Sequence, residues 1–159
     1  FIVSRDKRGK LVMSSDTLKK NLRNYLNEFR AVSDAYDILD ARIVNFAVNV
    51  DVVAHPSATK SVVAQAIITN LTGLLKTQNF QIDMPIAYAD IMNSVLNSEG
   101  VMSLVDLKCV NLTGNIEERK YSDVSFNIDA NTFQQMIVGP EGSIFELKYP
   151  KKDIIVTVR

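Results

Sequence analysis

Cysteine and histidine are almost missing from this sequence, which has one of each among 159 residues and no tryptophan. Because Cys109 is the single thiol, an internal disulfide cannot form, which suits a reducing compartment or a fold that needs no covalent cross-link. A zinc site built from several thiolates and imidazoles is excluded too, since only Cys109 and His55 are available. We therefore expect neither a disulfide-rich scaffold nor a zinc module.

Long hydrophobic runs are also missing. A membrane-spanning helix needs about 20 consecutive apolar residues. The two most apolar stretches, residues 41–53 and 61–75, are interrupted by polar residues such as Asn49 and Asn70. No signal peptide is visible, and the sequence starts at Phe1, so we expect a fragment of a longer polypeptide without a membrane partner.

No motif of the sequence indicates a catalytic or cofactor site. His55 precedes Pro56 without a nearby nucleophile or orienting acid, and we interpret it as a surface residue. Gly139 and Gly142 lack the lysine and the hydroxyl residue of a nucleotide-binding loop. We expect a protein that is not an enzyme, with no catalytic, metal or cofactor-binding residues and no small-molecule substrate. An enzyme using Asp or Glu remains an alternative for which the sequence nominates no pair.

Three aspartates recur at every third position, at Asp34, Asp37 and Asp40. A calcium loop places its oxygen ligands mostly at every second position and adds a glycine and a distal glutamate. Neither addition follows here, so we interpret Asp34 and Asp37 as turn or capping residues, with a metal site as the remote alternative.

The net charge is zero, but the charges are unevenly distributed. Residues 1–30 hold eight basic and three acidic residues, which gives +5 and leaves −5 for the remainder. A solvated loop and helix face is the favoured interpretation, although such asymmetry also orients one copy against another or against a partner. The basic stretch at residues 5–10 suggests a nucleic-acid or ligand-binding module as the alternative function. The neutral domain argues against a nucleic-acid partner.

The N-terminal region carries the pattern of an amphipathic helix. Ser14 or Ser15 is expected to cap this helix, with Asp16 in its first turn. The apolar residues that recur at helical spacing predict that the helix is docked on something: Leu18, Leu22, Tyr25, Leu26 and Phe29.

Hydrophobic periodicity predicts the order β-α-β-α-α-β for residues 1–113. Residues 43–53 alternate apolar and polar side chains, which indicates a long strand with one buried face. Helices follow at about residues 58–76 and 85–95, and then a strand at 101–112. We predict an α+β fold in which helices pack on one face of a small mixed sheet.

The composition changes after Gly114, and residues 114–159 are predicted to form a β-rich C-terminal extension. Within it, residues 124–128 read as a strand. Residues 144–148 and 153–158 are predicted to form a hairpin around a turn at Pro150–Lys152. The extension is expected to pair either with the sheet of this chain or with the surface of a neighbouring chain.

The order and spacing of several local motifs resemble one protein family. These motifs are the capped helix at residues 14–30 with its Tyr25-Leu26 pair, the polar turn at 33–40, the strand at 43–53, the helix after Ser57, the helical segment 86–95, and the Gly100-Val101 step into a strand. Together they resemble the C-terminal part of the baseplate wedge protein of contractile-tailed bacteriophages, in the baseplate J-like family. The similarity covers residues 1–113, and residues 143–150 add a weaker one.

The resemblance implies a structural role. Members of this family are scaffold subunits that dimerise, join other wedge proteins and close a sixfold ring around the tail hub. They shift their packing when the baseplate changes shape. The resemblance thus implies a homo-oligomer, with a dimer expected, located in the virion tail baseplate and assembled in the host cytoplasm. It brings no catalytic or metal-binding residues.

Two surfaces are expected to carry these contacts, because exposed helix faces and strand edges are ready templates for another chain. One is the basic face of the N-terminal helix, and the other is the β-rich extension. The candidate interaction residues are Lys19, Lys20 and Arg23 on the helix, and Phe126, Phe133, Ile144, Phe145 and Tyr149 on the extension.

Overall fold

A long central strand organises the fold. The computed structural model describes residues 1–29 and 36–159, and it has the predicted α+β architecture, with helices packed on a sheet. The predicted polar connection at residues 33–37 lies partly outside the described residues, and Asp34 lies outside them. In chain order the elements are β1 (Ser4–Arg5), β2 (Leu11–Val12), α1 (Asp16–Asn27), β3 (Arg42–Ala54), α2 (Lys60–Leu74), β4 (Ile86–Ala87), α3 (Tyr88–Leu96), β5 (Val101–Asn111), β6 (Asn115–Ile116), β7 (Arg119–Lys120), β8 (Thr132–Phe133), β9 (Met136–Ile137), β10 (Ser143–Glu146), α4 (Pro150–Asp153) and β11 (Ile154–Val158), with 3₁₀ turns at Thr77–Asn79 and Asp129–Asn131.

The main sheet is mixed and has β3 at its centre. β5 pairs antiparallel with β3 along one edge, while β10 and then β11 pair parallel with the other. The backbone N–H of Arg42 donates to Gly142, and the carbonyl of Val52 accepts from Arg159 on this second edge. The carbonyl of Asn45 points the opposite way and accepts from Leu112, which follows β5. β10 and β11 are therefore two segments in line along one edge.

The alternation in β3 places its even-numbered residues under the helices. Val48, Val50 and Val52 are buried, whereas Asn49 and Asp51 between them are only partly buried. The residues that α2 and α3 bury towards the sheet are Val63, Ile67 and Leu71 from α2, and Ile91 and Val95 from α3. Each such side chain contributes about 1.5–3 kcal/mol when it is fully buried. The predicted long strand and the helices on one face are both confirmed.

The first half of β3 is buried on both faces, unlike the second half. Ile43, Asn45 and Ala47 are buried although they point away from the helices. Ser122 reaches this face, because its backbone N–H donates to the Asn45 side chain and its hydroxyl bonds the Ile43 carbonyl. Leu11 of β2 is buried in the same core. The N-terminal hairpin and the C-terminal extension thus complete the layer opposite the helices.

The predicted hairpin in the C-terminal extension is wrong. β10 and β11 both run parallel to β3, whereas the strands of a hairpin would run antiparallel to each other. Pro150 begins the single-turn helix α4, a position that its fixed φ angle and missing N–H suit. Of the two partners left open for the extension, β10 and β11 therefore use the sheet of this chain.

The strand predicted at residues 124–128 is wrong as well, since those residues form no strand. Side-chain oxygens accept hydrogen bonds from backbone N–H groups that would donate to a neighbouring strand if this segment were a strand. The N–H of Val124 donates to Ser122 Oγ at 3.3 Å, and the N–H of Phe126 donates to Asn111 Oδ1 at 2.9 Å. Such local acceptors compete with a ladder for the backbone.

Candidate assembly surface

Helix α1 forms where the N-terminal pattern predicted it. Ser15 is the residue at its N-cap, and its hydroxyl accepts from the N–H of Leu18 at 3.3 Å. Asp16 lies in the first turn, where a negative charge favours the helix dipole. The helix runs from Asp16 to Asn27, so Phe29 lies just beyond its last turn.

The apolar face of α1 does not pack on the core among the described residues, although Leu22 and Leu26 are half-buried. None of the helix residues is buried, and none belongs to the hydrophobic core or packs against it. Leu18, Tyr25 and Phe29 are 48%, 60% and 69% exposed. The rings of Tyr25 and Phe29 contact each other, with centroids 5.0 Å apart. We call Leu18, Leu22, Tyr25 and Phe29 the α1 stripe.

One ion pair holds the side of α1 next to this stripe. Lys19 Nζ lies 2.6 Å from Asp40 Oδ2 and 3.4 Å from Asp16 Oδ1. The hydrogen bond that Lys19 donates to Asp40 raises the pKa of the Lys19 amine, so its charge persists. Asp40 immediately precedes the core residue Ala41, whose N–H donates to Ile2. The contact therefore fixes the helix at its edge and leaves the stripe open.

The predicted basic face of α1 divides into two parts. Lys19 is engaged with the two aspartates and is mostly covered. Lys20 and Arg23 are exposed, and neither forms an ion pair within the described ranges. Of the three predicted basic residues of α1, Lys20 and Arg23 are therefore the ones available as cations for another chain.

Further apolar residues extend the surface beyond α1. Met13, just before the helix, is 69% exposed, and Leu39 precedes the Asp40 that Lys19 binds. Val12 and Met13 also line a groove of about 600 Å³, together with Tyr121, Val124 and charged residues such as Arg42. An amphipathic helix, its flanking residues and an apolar groove thus lie side by side.

The structure places the predicted residues of the extension in different environments. Phe133 is 63% exposed at the end of β8, just before the turn to β9 in which Gln134 and Gln135 have positive φ angles. Phe126 is partly buried, with its ring 6.0 Å from that of Phe145. Of the five, Phe133 is thus the side chain that projects most clearly into solvent.

The proposed contact role of Ile144 and Phe145 needs correction. They are only 3% and 1% exposed, because β10 lies in the core with both residues packed inside it. Both stabilise this domain and do not lie on its surface. Tyr149 is partly buried, and Lys10 Nζ lies 3.6 Å from the centre of its ring. That contact holds the N-terminal hairpin to the extension.

The described residues contain no arrangement typical of catalysis or metal binding. His55 is exposed, and its Nδ1 lies 2.7 Å from Ser57 Oγ without a carboxylate behind it. Burial raises the pKa of the Cys109 thiol to about 12, which keeps it protonated and unreactive. Across residues 1–29 and 36–159, no three His, Cys, Asp or Glu side chains group closely enough to hold a metal ion. None of the helices described there is long and apolar enough to cross a bilayer.

No family model matches the chain, and no curated protein matches it. Its function is therefore inferred from its own residues and surfaces.

Sequence reasoning missed a buried carboxylate at Glu146. Its Oε1 accepts from the backbone N–H of Leu11 at 2.6 Å, and its Oε2 accepts from Asn45 Nδ2 at 2.9 Å. These partners lie 135 and 101 positions earlier in the chain, so no local pattern links them. Asn45 itself gave no signal, because it shares its face of the strand with the polar residues Asn49 and Asp51.

A second buried carboxylate, Asp153, was also missed. It accepts from the Tyr121 hydroxyl at 2.6 Å and from the Tyr149 backbone N–H at 2.8 Å, and Arg119 lies 3.3 Å away. Burial is the largest influence on the Asp153 carboxyl and raises its pKa, while these donors oppose the rise. Glu146 thus joins the extension to the rest of the domain, whereas Asp153 holds together residues within the extension.

Proposed function

We propose that this chain is a structural assembly domain that joins other protein chains through the α1 stripe, and that it is not an enzyme. The α1 stripe is the observation that carries this proposal. A soluble domain gains stability by burying the apolar face of a helix, yet α1 keeps its face open. Exposed apolar patches with polar rims are typical of protein interfaces. The ion pair of Lys19 and Asp40 supplies such a rim beside the stripe.

Within that role, we assign the chain to the wedge of a contractile phage tail baseplate. The resemblance over residues 1–113 supports this assignment. Its Tyr25-Leu26 pair falls in the last turns of α1, and its Gly100-Val101 step falls at the start of β5. The partners are further copies of this chain and other wedge proteins, and the location is the virion tail baseplate. Nucleic acid, membrane and small-molecule substrates are not among the partners.

Immunoelectron microscopy of virions tests this assignment. Antibodies raised against this chain should label the tail at its baseplate end. The Tyr25→Asp variant, which places a charge on the α1 stripe, should reduce the number of complete tails. Asn24→Asp is the matched control, because it adds the same charge to the opposite, exposed side of α1. Absence of label from all virion parts would refute the assignment.

The alternative function, a nucleic-acid-binding module, rests on the turn between β1 and β2. Arg5, Lys7 and Arg8 are exposed there, and Asp6 accepts from the backbone N–H groups of Arg8 and Lys10. Phosphate contacts release counterions, so binding to DNA or RNA would weaken steeply with salt. A mobility shift of DNA or RNA at low salt that is lost at high salt would favour this alternative over assembly.

A further inference from the structure

We propose that the α1 stripe pairs with the α1 stripe of a second copy of this chain, in antiparallel orientation about a twofold axis. This inference rests on the proposed function, because it names the partner of the surface assigned there. A twofold interface uses the same patch on both subunits, so the patch must be complementary to itself. The α1 stripe meets this condition in its spacing, its side-chain sizes and its charges.

The spacing of the stripe reads the same from either end. Leu18, Leu22, Tyr25 and Phe29 are separated by four, three and four residues. This is the spacing of the core positions of two helices that pack side by side, with Phe29 just beyond the last turn of α1. With the twofold axis between Arg23 and Asn24, Leu18 lies opposite the partner's Phe29 and Leu22 lies opposite the partner's Tyr25.

The side-chain sizes favour the antiparallel direction over the parallel one. Antiparallel pairing places a leucine opposite an aromatic ring in every layer, so the layers have similar volume and fill space evenly. Parallel pairing would set Phe29 against the partner's Phe29 and Leu18 against the partner's Leu18, which leaves one end crowded and the other underpacked. The helix dipoles also attract each other in the antiparallel arrangement.

The charges beside the stripe cause no repulsion in the seam, which is the contact between the two paired α1 helices. On one margin Lys19 is neutralised by Asp40 of its own chain. On the other margin Asn21 comes opposite the partner's Glu28, whose carboxylate can accept a hydrogen bond from the amide. Lys20 and Arg23 lie away from the helix–helix contact, where their charges stay solvated. No like-charged pair faces across the seam.

The exposed apolar side chains supply a large share of the area of a specific contact. A standard interface buries about 800 Å² on each partner. Tyr25 and Phe29 are more than half exposed, and aromatic side chains bury roughly 150–250 Å² each, so these two supply about a third of that area. Leu18 with the adjoining Met13 and Leu39 extends it.

Sedimentation equilibrium tests the partner. The wild-type chain should change from monomer to dimer as its concentration rises through the micromolar range. Tyr25→Asp should raise the dissociation constant roughly tenfold or more, as expected when a central aromatic residue is lost. Asn24→Asp should leave the constant unchanged. Circular dichroism of both variants checks that the fold is retained.

Disulfide trapping tests the direction, with the cysteines placed beside the stripe so that the stripe stays intact. In a Cys109→Ala background, Asn21→Cys and Glu28→Cys are purified separately, given different mass tags, mixed in equal amounts and oxidised. Antiparallel pairing predicts a covalent heterodimer of the two variants and little of either homodimer.

The outcomes separate this inference from the proposed function. A monomeric wild-type chain, a dimer that survives Tyr25→Asp, or a dimer without the mixed disulfide would overturn the antiparallel seam. Baseplate labelling combined with any of those results would leave the assembly role standing with a different partner. A mixed disulfide without label on virions would support the seam and refute the baseplate assignment.

Discussion

Glu146 Oε1 accepts a hydrogen bond of 2.6 Å from the backbone N–H of Leu11, so a residue of β10 fixes the N-terminal hairpin 135 positions away. The second carboxylate oxygen holds Asn45 in the middle of β3. One buried side chain thus links β2, β3 and β10. α1 begins four residues after β2, so this link also sets where the helix starts.

Glu146→Gln is expected to destabilise the domain by about 2–4 kcal/mol, because removing a partner from a buried hydrogen-bonded charge leaves donors unsatisfied. The new amide group must face either the Leu11 N–H or the Asn45 amide, and both are donors. Urea unfolding measures the change. Glu141→Gln, at an exposed position, is the control and should leave the midpoint unchanged. Equal midpoints for the two variants would contradict the assigned role of Glu146.

The stability of the domain should fall as the pH rises above about 9. Burial raises the pKa of Cys109 from 9.0 to about 12, so the unfolded thiol ionises before the folded one. The unfolded state therefore gains stability in this interval, with a slope approaching about 1.4 kcal/mol per pH unit. Burial also raises the pKa of Tyr88 from 10.0 to about 12. This tyrosine therefore adds to the loss of stability mainly above pH 10.

Denaturant unfolding at pH 8, 9 and 10 measures this effect, with Cys109→Ala as the control. The variant should lose most of the slope between pH 8 and 9, where the tyrosines are still largely protonated in both states. An identical slope in the variant and the wild type would show that Cys109 does not cause it.

Tyr121→Phe should destabilise the domain by roughly 1.5–3 kcal/mol, the usual contribution of a hydrogen bond to a charged group. The Tyr121 hydroxyl donates to Asp153 Oδ1, and this bond opposes the rise that burial causes in the Asp153 pKa. Without it, the pKa of Asp153 should rise further. Because the pKa of Asp153 is higher in the folded state than the 3.8 of the unfolded state, the protonated carboxyl group stabilises the fold at a pH below 3.8. This contribution is lost as the pH rises through the pKa of the folded state.

Carbon-detected NMR titration of the Asp153 carboxyl group measures its pKa in the wild type and in Tyr121→Phe. Tyr25→Phe serves as the control, since the Tyr25 ring is exposed and distant in sequence from Asp153. A titration curve of Asp153 that is unchanged in Tyr121→Phe would contradict the assigned hydrogen bond.

Asp106→Ala should promote aggregation through the free edge of β5. Among the described strands, β5 pairs only with β3, so its outer edge faces no other strand. Asp106 Oδ1 accepts from the Leu107 N–H at 2.9 Å, and the Tyr88 hydroxyl accepts from the Cys109 N–H at 3.3 Å. These acceptors occupy donors that would otherwise template another strand. Light scattering during prolonged incubation measures the effect, and Asp90→Ala, exposed on α3, should behave as the wild type.

Local patterns predicted those parts of the fold that local physics decides. The alternation along β3 and the Ser15 cap of α1 each depend on neighbours within a few residues. The course of the chain around Pro150 could not be predicted this way, because proline suits a hairpin turn and the first turn of a helix equally. The length of β3 decides it, since 13 residues extend about 43 Å and offer room for β10 and β11 in line.

The candidate surface shows the same limit. The spacing of Leu18, Tyr25 and Phe29 predicted an apolar helix face, but only the folded chain reveals that this face stays open. Ile144 and Phe145 were expected at the surface, because an apolar pair in a short strand carries no local sign of which layer will cover it. Their burial depends on β3 and on the Phe126 segment, both distant in sequence.

Hydroxyl-radical footprinting of Tyr25 and Phe29 tests most directly whether the α1 stripe is an assembly surface. Both side chains should be oxidised readily in the dilute chain and strongly protected at high concentration and in assembled tails. Ile116, exposed on β6, should react equally in all samples. Equal oxidation of Tyr25 and Phe29 in the dilute, concentrated and assembled states would contradict the account.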